Sequence, residues 1–232
     1  MSNNYFKFKQ FSVEHSGCAM KVGTDGVLLG AWANGGDCIL DIGTGSGLIA
    51  LFMAQRNVRA QIVAIDIDSD AIKQAKINVE NSIFRNRISV IESSLQNFHQ
   101  GKYDSIVCNP PFFVNSLKNA DEKRRLARHT DSLSFHDLFV GAAPLLSDEG
   151  EFSVVIPSSC RSDFDMEAVF CGLFPSRICA IKTLQRKPVS RYLLAYKKIP
   201  SEVIDESSGI INNDDMSRSD WYRRLTSDFY IY

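Results

Sequence analysis

The sequence lacks most of the patterns that identify a protein at a glance. None of its six cysteines (Cys18, Cys38, Cys108, Cys160, Cys171, Cys179) forms a C-x-x-C pair, and His15, His99 and His136 are scattered without ligand spacing. A disulfide framework and a zinc ribbon are excluded, and no metal is expected. Most cysteines sit in apolar runs, as Cys108 does in Ser105-Ile106-Val107-Cys108, where the thiol acts as a small hydrophobe. No P-loop spacing occurs anywhere. No apolar run approaches the roughly 18 residues of a membrane span. The start, Met1-Ser2-Asn3-Asn4-Tyr5-Phe6-Lys7-Phe8-Lys9, lacks the apolar stretch of a secretory signal, so no membrane and a cytoplasmic location are expected. Neither sign of charge dominates: 26 Lys and Arg stand against 27 Asp and Glu. Repeats and low-complexity tracts are missing too.

What is present is an ordinary globular composition, 44% hydrophobic and 23% charged over 232 residues. A chain of that length can bury about 70% of its unfolded surface in one core. Short apolar runs alternate with helical periods. Strands are expected at Cys38 to Asp41, Gln61 to Asp66, Ile88 to Glu92, Tyr103 to Cys108 and Gly150 to Ile156. Helices are expected at Leu48 to Arg56, Ser69 to Asn81 (capped by Asp68 or Ser69), Ser134 to Leu146 and around Phe164 to Phe174. Two last strands, Arg177 to Leu184 and Arg191 to Lys197, have no room for a helix between them and should form an antiparallel hairpin on the sheet's edge. The reading is α/β: a seven-stranded, mostly parallel sheet with helices on both faces and an antiparallel C-terminal β-hairpin. Residues 1–37 form a leader, 38–200 the main domain, and 201–232 a polar extension ending in a short docking segment from Trp221.

A strand running into Asp41-x-Gly43-x-Gly45-x-Gly47 and then a helix is a ligand-binding turn. Leu48 stands where a dinucleotide fingerprint needs its third glycine, so the pyrophosphate rationale fails. Asp66 ends the next strand and can accept both hydroxyls of a ribose. Asp41, just before the glycines, can face a ligand's amino group. The competing reading is that the glycines serve only tight helix–strand packing. S-adenosylmethionine fits the ligand reading, having a ribose, no phosphate and a cationic tail; its product would be S-adenosylhomocysteine. From the glycine turn to the last strand the pattern resembles the Rossmann-like methyltransferases.

The fourth strand of that pattern ends in Asn109-Pro110-Pro111-Phe112. The Asn109 side-chain oxygen and the Pro110 carbonyl can each accept one N–H of a planar amine, aiming its lone pair and stabilising the charge that develops on nitrogen. Pro110 and Pro111 stiffen the turn and remove competing donors. Phe112 can stack on a planar group. This motif resembles that of amino-methyltransferases acting on adenine N6, guanine N2 or protein glutamine, and the motif alone leaves those three open.

The leader holds Phe6-Lys7-Phe8-Lys9-Gln10-Phe11 and Met20-Lys21-Val22-Gly23-Thr24-Asp25-Gly26-Val27-Leu28-Leu29-Gly30-Ala31-Trp32. With Arg125-Leu126-Ala127-Arg128-His129-Thr130 and the tail Asp228-Phe229-Tyr230-Ile231-Tyr232, it resembles the bacterial tRNA(Val) adenine N6-methyltransferases from end to end. The resemblance implies a tRNA substrate, the adenine 3′ of the anticodon as target, and Lys21, Thr24 and Asp25 over the cofactor pocket. Gly23, Gly26 and Gly30 read as punctuation of a turn-rich lid. Such enzymes usually place an acid after the third strand to receive the cofactor's adenine; here Ser94 stands there and offers a weaker hydrogen bond. Residues 112–130 carry Lys118, Lys123, Arg124, Arg125 and Arg128 against Asp121 and Glu122, and residues 177–198 carry seven cations and no acid, Arg186 and Lys187 among them. Both segments should border the same end of the sheet or its edge as an RNA-binding stripe, with His129 positioning beside Arg128. A glutamine N5-methyltransferase would normally carry N-P-P-Y and a separate helical leader domain; Phe112 and the short leader oppose it. A monomer is expected.

Overall fold

The computed structural model describes residues 5–14, 22–111 and 133–231. A small antiparallel pair, β1 (Tyr5–Lys7) and β2 (Ser12–Glu14), precedes α1 (Thr24–Trp32). Then come β3 (Cys38–Ile42), α2 (Leu48–Arg56), β4 (Gln61–Asp66), α3 (Ser69–Glu80), β5 (Ile88–Glu92) and β6 (Tyr103–Cys108). The chain continues with α4 (Phe135–Ala142), β7 (Leu146–Pro157), α5 (Arg161–Phe170), β8 (Phe174–Lys182), β9 (Val189–Lys197), β10 (Asp205–Ile210) and α6 (Asp220–Thr226). Asp68 caps α3, its side chain accepting from the amides of Asp70 and Ala71.

The main sheet has the order β10-β8-β9-β7-β6-β3-β4-β5, and β9 alone runs against its neighbours. Period-two alternation divides each strand between two cores. Val107, Val155 and Leu193 face a cluster with Leu28, Leu51 and Phe52 of α1 and α2. Ile106, Cys108, Val154 and Leu194 face a cluster with Phe139 of α4 and Phe164 of α5. Both faces are therefore covered, as the alternation of strands and helices requires. Among the described residues no helix is long and apolar enough to cross a membrane.

All seven expected strands are present, and an eighth joins them. β10, from the stretch read as a polar extension, pairs in parallel with β8, so the hairpin of β8 and β9 is not the sheet's edge. Its residues are mostly exposed because only one side is paired and little covers its faces, which is why no alternation marks it. α4 is shorter than expected and β7 longer, because Leu146 already belongs to the strand.

Gly26 and Gly30 of the leader do not mark turns. Gly26 and Gly30 lie one turn apart in α1, on the face that meets α2: a Cβ at Gly30 would stand 2.7 Å from the Phe52 Cβ, and one at Gly26 3.0 Å from a Leu48 methyl. They are small so that two helices can approach closely. Phe52 in turn stacks on Phe229 (ring centroids 3.9 Å apart). The Phe229 carbonyl accepts the Lys9 amide at 2.8 Å, so both ends of the chain are pinned to α2.

Candidate active site

Register brings four chain segments to one place. Ile42 of β3 stands opposite Cys108 of β6 and Ile65 of β4, and Asp66 stands opposite Glu92 of β5. Gly43, Asn109, Asp66 and the turn at Ser93 and Ser94 therefore leave the sheet together at its carboxyl edge. Strand order reverses between β3 and β6, and the crevice of an open α/β sheet lies at such a reversal. A groove of about 520 Å³ between α3 and the start of β5 lies toward the opposite end of the strands.

Gly43, Gly45 and Gly47 have φ of 68°, 56° and 81°, the left-handed region that side chains rarely adopt. A Cβ at Gly43 or Gly45 would meet nothing within 4 Å, whereas one at Gly47 would lie 3.5 Å from Ala75. The Ala75 distance is ordinary contact, so tight packing requires none of the three glycines; their positive φ does. Gly43 and Gly45 border open space, as a backbone that a ligand must approach does. The loop is tied down by the Ile65 carbonyl, which accepts the Gly43 and Thr44 amides at 2.9 and 3.0 Å. Asp66 Oδ2 accepts the Gly45 amide at 2.8 Å and Oδ1 the Asp68 amide at 3.0 Å. Asp66 therefore shapes the loop while keeping one lone pair on each oxygen. Burial raises its carboxyl above the usual range, with these hydrogen bonds pulling back.

Asp41 is fully buried. Its Oδ2 accepts the Thr44 hydroxyl at 2.6 Å and the Ala50 amide at 3.1 Å, and its Oδ1 has no partner among the described residues. Burial pushes this carboxyl up to about 7, and the nearby Asp66 charge adds to the rise. A buried carboxylate oxygen without a donor is costly unless a ligand supplies one.

Asn109 is half-buried, Pro110 buried and Pro111 exposed at the end of β6. The Asn109 side chain makes no hydrogen bond to another described residue. Ser94, half-buried, begins the short turn after β5, its carbonyl accepting from the Ser93 hydroxyl. Thr24 opens α1, and Asp25 beside it is ion-paired with Arg191 of β9. Burial raises the Asp25 carboxyl despite that guanidinium. Lys21, Phe112, Lys118, Arg124, Arg125, Arg128 and His129 lie outside the described residues.

The cationic hairpin is not one uniform stripe. Arg177 pairs with Glu151, Arg186 with Asp214, Arg191 with Asp25 and Lys198 with Asp148. Four of the seven cations thus find acids contributed by other segments. Arg177 also lies 4.0 Å above the Trp32 ring, a core contact. Nor do the seven share one end of the sheet. Phe174 pairs with Lys197 at the start of β8, whereas Arg191 pairs with Pro157 at the end of β7. The turn carrying Arg186 and Lys187 therefore lies on the same edge as Asn109, and Lys197 and Lys198 lie on the opposite one.

Three residues escaped the sequence reading. Thr44 anchors Asp41, Arg191 holds α1, and buried Asn78 of α3 reaches both β2 and the glycine loop. Asn78 left a trace in the sequence, as a polar residue one heptad after Ala71 on the apolar face of α3, whereas Arg191 read only as one cation of the basic run. His136, Glu167 and Cys171 also converge between α4 and α5, with donor atoms within 4.8 Å of one another, a cluster that their separation in the chain hides.

The family model for the methyltransferase small domain matches residues 26–173. A tRNA1(Val) (adenine(37)-N6)-methyltransferase from Parabacteroides distasonis is 45% identical over 236 aligned positions, covering 100% of this chain and 99% of that one. One of the same name from Phocaeicola vulgatus is 47% identical, with the same coverage. Among solved structures, a predicted O-methyltransferase from Agrobacterium tumefaciens superposes with a TM-score of 0.70 at 16% identity, covering 88% of this chain and 96% of its own.

Proposed function

Since the chain belongs to the tRNA1(Val) (adenine(37)-N6)-methyltransferase family, we propose that it methylates the exocyclic N6 amine of an adenine in the anticodon loop of a valine tRNA, the base 3′ of the anticodon, with S-adenosylmethionine as donor. The observation that carries this reading is the register at the switch point: the glycine cradle after β3 and the Asn109 turn after β6 emerge side by side. One supplies a place for a nucleoside with a cationic tail, the other two acceptors for an amine.

The residues present suit that donor. Open space over Gly43 and Gly45 admits it, Asp66 keeps lone pairs for ribose hydroxyls, and the unpaired Asp41 Oδ1 suits an ammonium group. Thr24, next to the Asp25 that Arg191 holds, and Ser94, in the turn after β5, are assigned to the donor as well. When bound, S-adenosylmethionine supplies an electrophilic methyl carbon on a sulfonium.

An adenine N6 lone pair is delocalised into the ring and attacks poorly. Asn109 Oδ1 and the Pro110 carbonyl, each accepting one N–H, favour its rehybridisation and offset the positive charge that forms on nitrogen. The absence of amide protons on Pro110 and Pro111 leaves those acceptors uncontested. No base is required, because the alkylated amine is acidic enough to lose its proton to water. Catalysis is then chiefly alignment. Phe112 takes the stacking role, worth about 1–3 kcal/mol, on a base extruded from a single-stranded loop. Lys187, with Arg186 and the cations of residues 112–130, takes the phosphates.

Incubation of bulk tRNA with labelled donor, followed by nuclease digestion and mass mapping, tests the assignment. N6-methyladenine in the anticodon-loop fragment of valine tRNA is expected. Label in guanine N2 would overturn it in favour of the guanine acceptor that the N-P-P-F motif also admits.

A further inference from the structure

Thr44 and Gly45 of the glycine loop are held by Asp41 and Asp66, and Ser46, between Gly45 and Gly47, is gripped from α3. Asn78, 2% exposed in the third turn of α3, donates through Nδ2 to the Ser46 carbonyl at 2.8 Å. The same Nδ2 donates to the Glu14 carbonyl at 2.8 Å, and Oδ1 accepts the Glu14 amide at 2.9 Å. Both donors are used, along with one of the two acceptor sites. One turn earlier on the same helix face, Ala75 packs against Gly47. α3 thus sets the loop's height through Ala75 and its tilt through Asn78.

The geometry points to Asn78 as a positioning residue of the cofactor cradle, one that fixes the Ser46 peptide and ties the glycine loop to the end of β2. It touches no reacting atom. The inference rests on the methyltransferase reading for what the cradle holds, but not for the hydrogen bonds themselves. Packing alone does not require an amide at this position: a small apolar residue would continue the face of Ala71 and Ala75. Such a residue would leave the Ser46 carbonyl and both polar groups of the Glu14 backbone without their partner.

Two variants test it. Asn78→Asp keeps the acceptor for the Glu14 amide and loses both donors; Asn78→Ala loses all three bonds. Both should raise the apparent KM for S-adenosylmethionine and the calorimetric Kd for S-adenosylhomocysteine by about 10-fold or more. Turnover at saturating donor and the KM for tRNA should stay within about threefold of wild type, since nothing at Asn109 moves. The calorimetric stoichiometry reports the folded fraction, and the Kd reports the cradle. An unchanged Kd with reduced stoichiometry would make Asn78 merely structural, as would failure of both variants to fold. A loss of turnover with an unchanged donor KM would equally overturn the inference. If wild type binds S-adenosylhomocysteine but methylates no tRNA, the functional reading fails while the Kd comparison still decides the role of Asn78.

Discussion

Replacing Asp41 with asparagine should stabilise the free protein at alkaline pH and weaken its hold on a cationic ligand. The carboxyl is fully buried, its Oδ1 is unpaired, and its pKa is pushed up to about 7. In an unfolded chain an aspartate titrates near 4. Between those values the native state holds a proton that the unfolded chain has released, so stability falls as pH rises through the window. Above about pH 7 the whole cost is present, on the order of 4 kcal/mol at 1.36 kcal/mol per pKa unit. From pH 5 to pH 8 the change is about 2–3 kcal/mol. The substituted amide would still offer one oxygen to Thr44 and Ala50 and would carry no charge at any pH. Urea denaturation followed by tryptophan fluorescence at half-unit pH intervals measures the difference. The gap between D41N and wild type should open in favour of the variant by about 2–3 kcal/mol between pH 5 and 8, all other titrations being shared. Affinity for S-adenosylhomocysteine should move the other way, about 10-fold weaker in the variant at pH 8, because a charge-assisted hydrogen bond to the ammonium is lost. Stability curves that run parallel across the whole range would refute the argument that an ionised carboxylate is buried here.

Asn109→Ala should lower turnover roughly 100- to 1000-fold, the cost of one preorganised acceptor, while calorimetry shows donor affinity retained; loss of donor binding instead would reassign the residue. Lys187→Ala should reduce the slope of log affinity for tRNA against log salt by about 1. Arg186→Ala should change it less, since Arg186 is shared with Asp214; an unchanged slope in the Lys187 variant removes the β8–β9 turn from the RNA surface. Gly30→Ala should cost about 1–3 kcal/mol by overpacking against the Phe52 Cβ. Gly26→Ala should cost less, because the Leu48 methyl it meets can turn aside, and equal denaturation midpoints for the two variants would show that α1 and α2 are not held by close approach.

The parts legible in the sequence are those set by local chemistry. Apolar runs fixed the extents of β4, β5, β6 and α2 to the residue, because each is a short apolar run bounded by polar, glycine or proline residues. The glycine turn and Asn109-Pro110-Pro111 announced themselves because positive φ and a missing amide proton belong to the residues themselves. Tertiary structure alone decided what depends on partners far along the chain. Arg191 reads as one cation of a basic run until Asp25, 166 residues away, meets it. Gly26 and Gly30 read as turn residues until Leu48 and Phe52 of α2 supply the surface that needs them small. β10 reads as polar linker because an edge strand paired on one side requires no alternation. Burial of Asp41 gave a common side chain its shifted titration and its unpaired oxygen, since desolvation depends on what surrounds a carboxyl and not on which residues precede it.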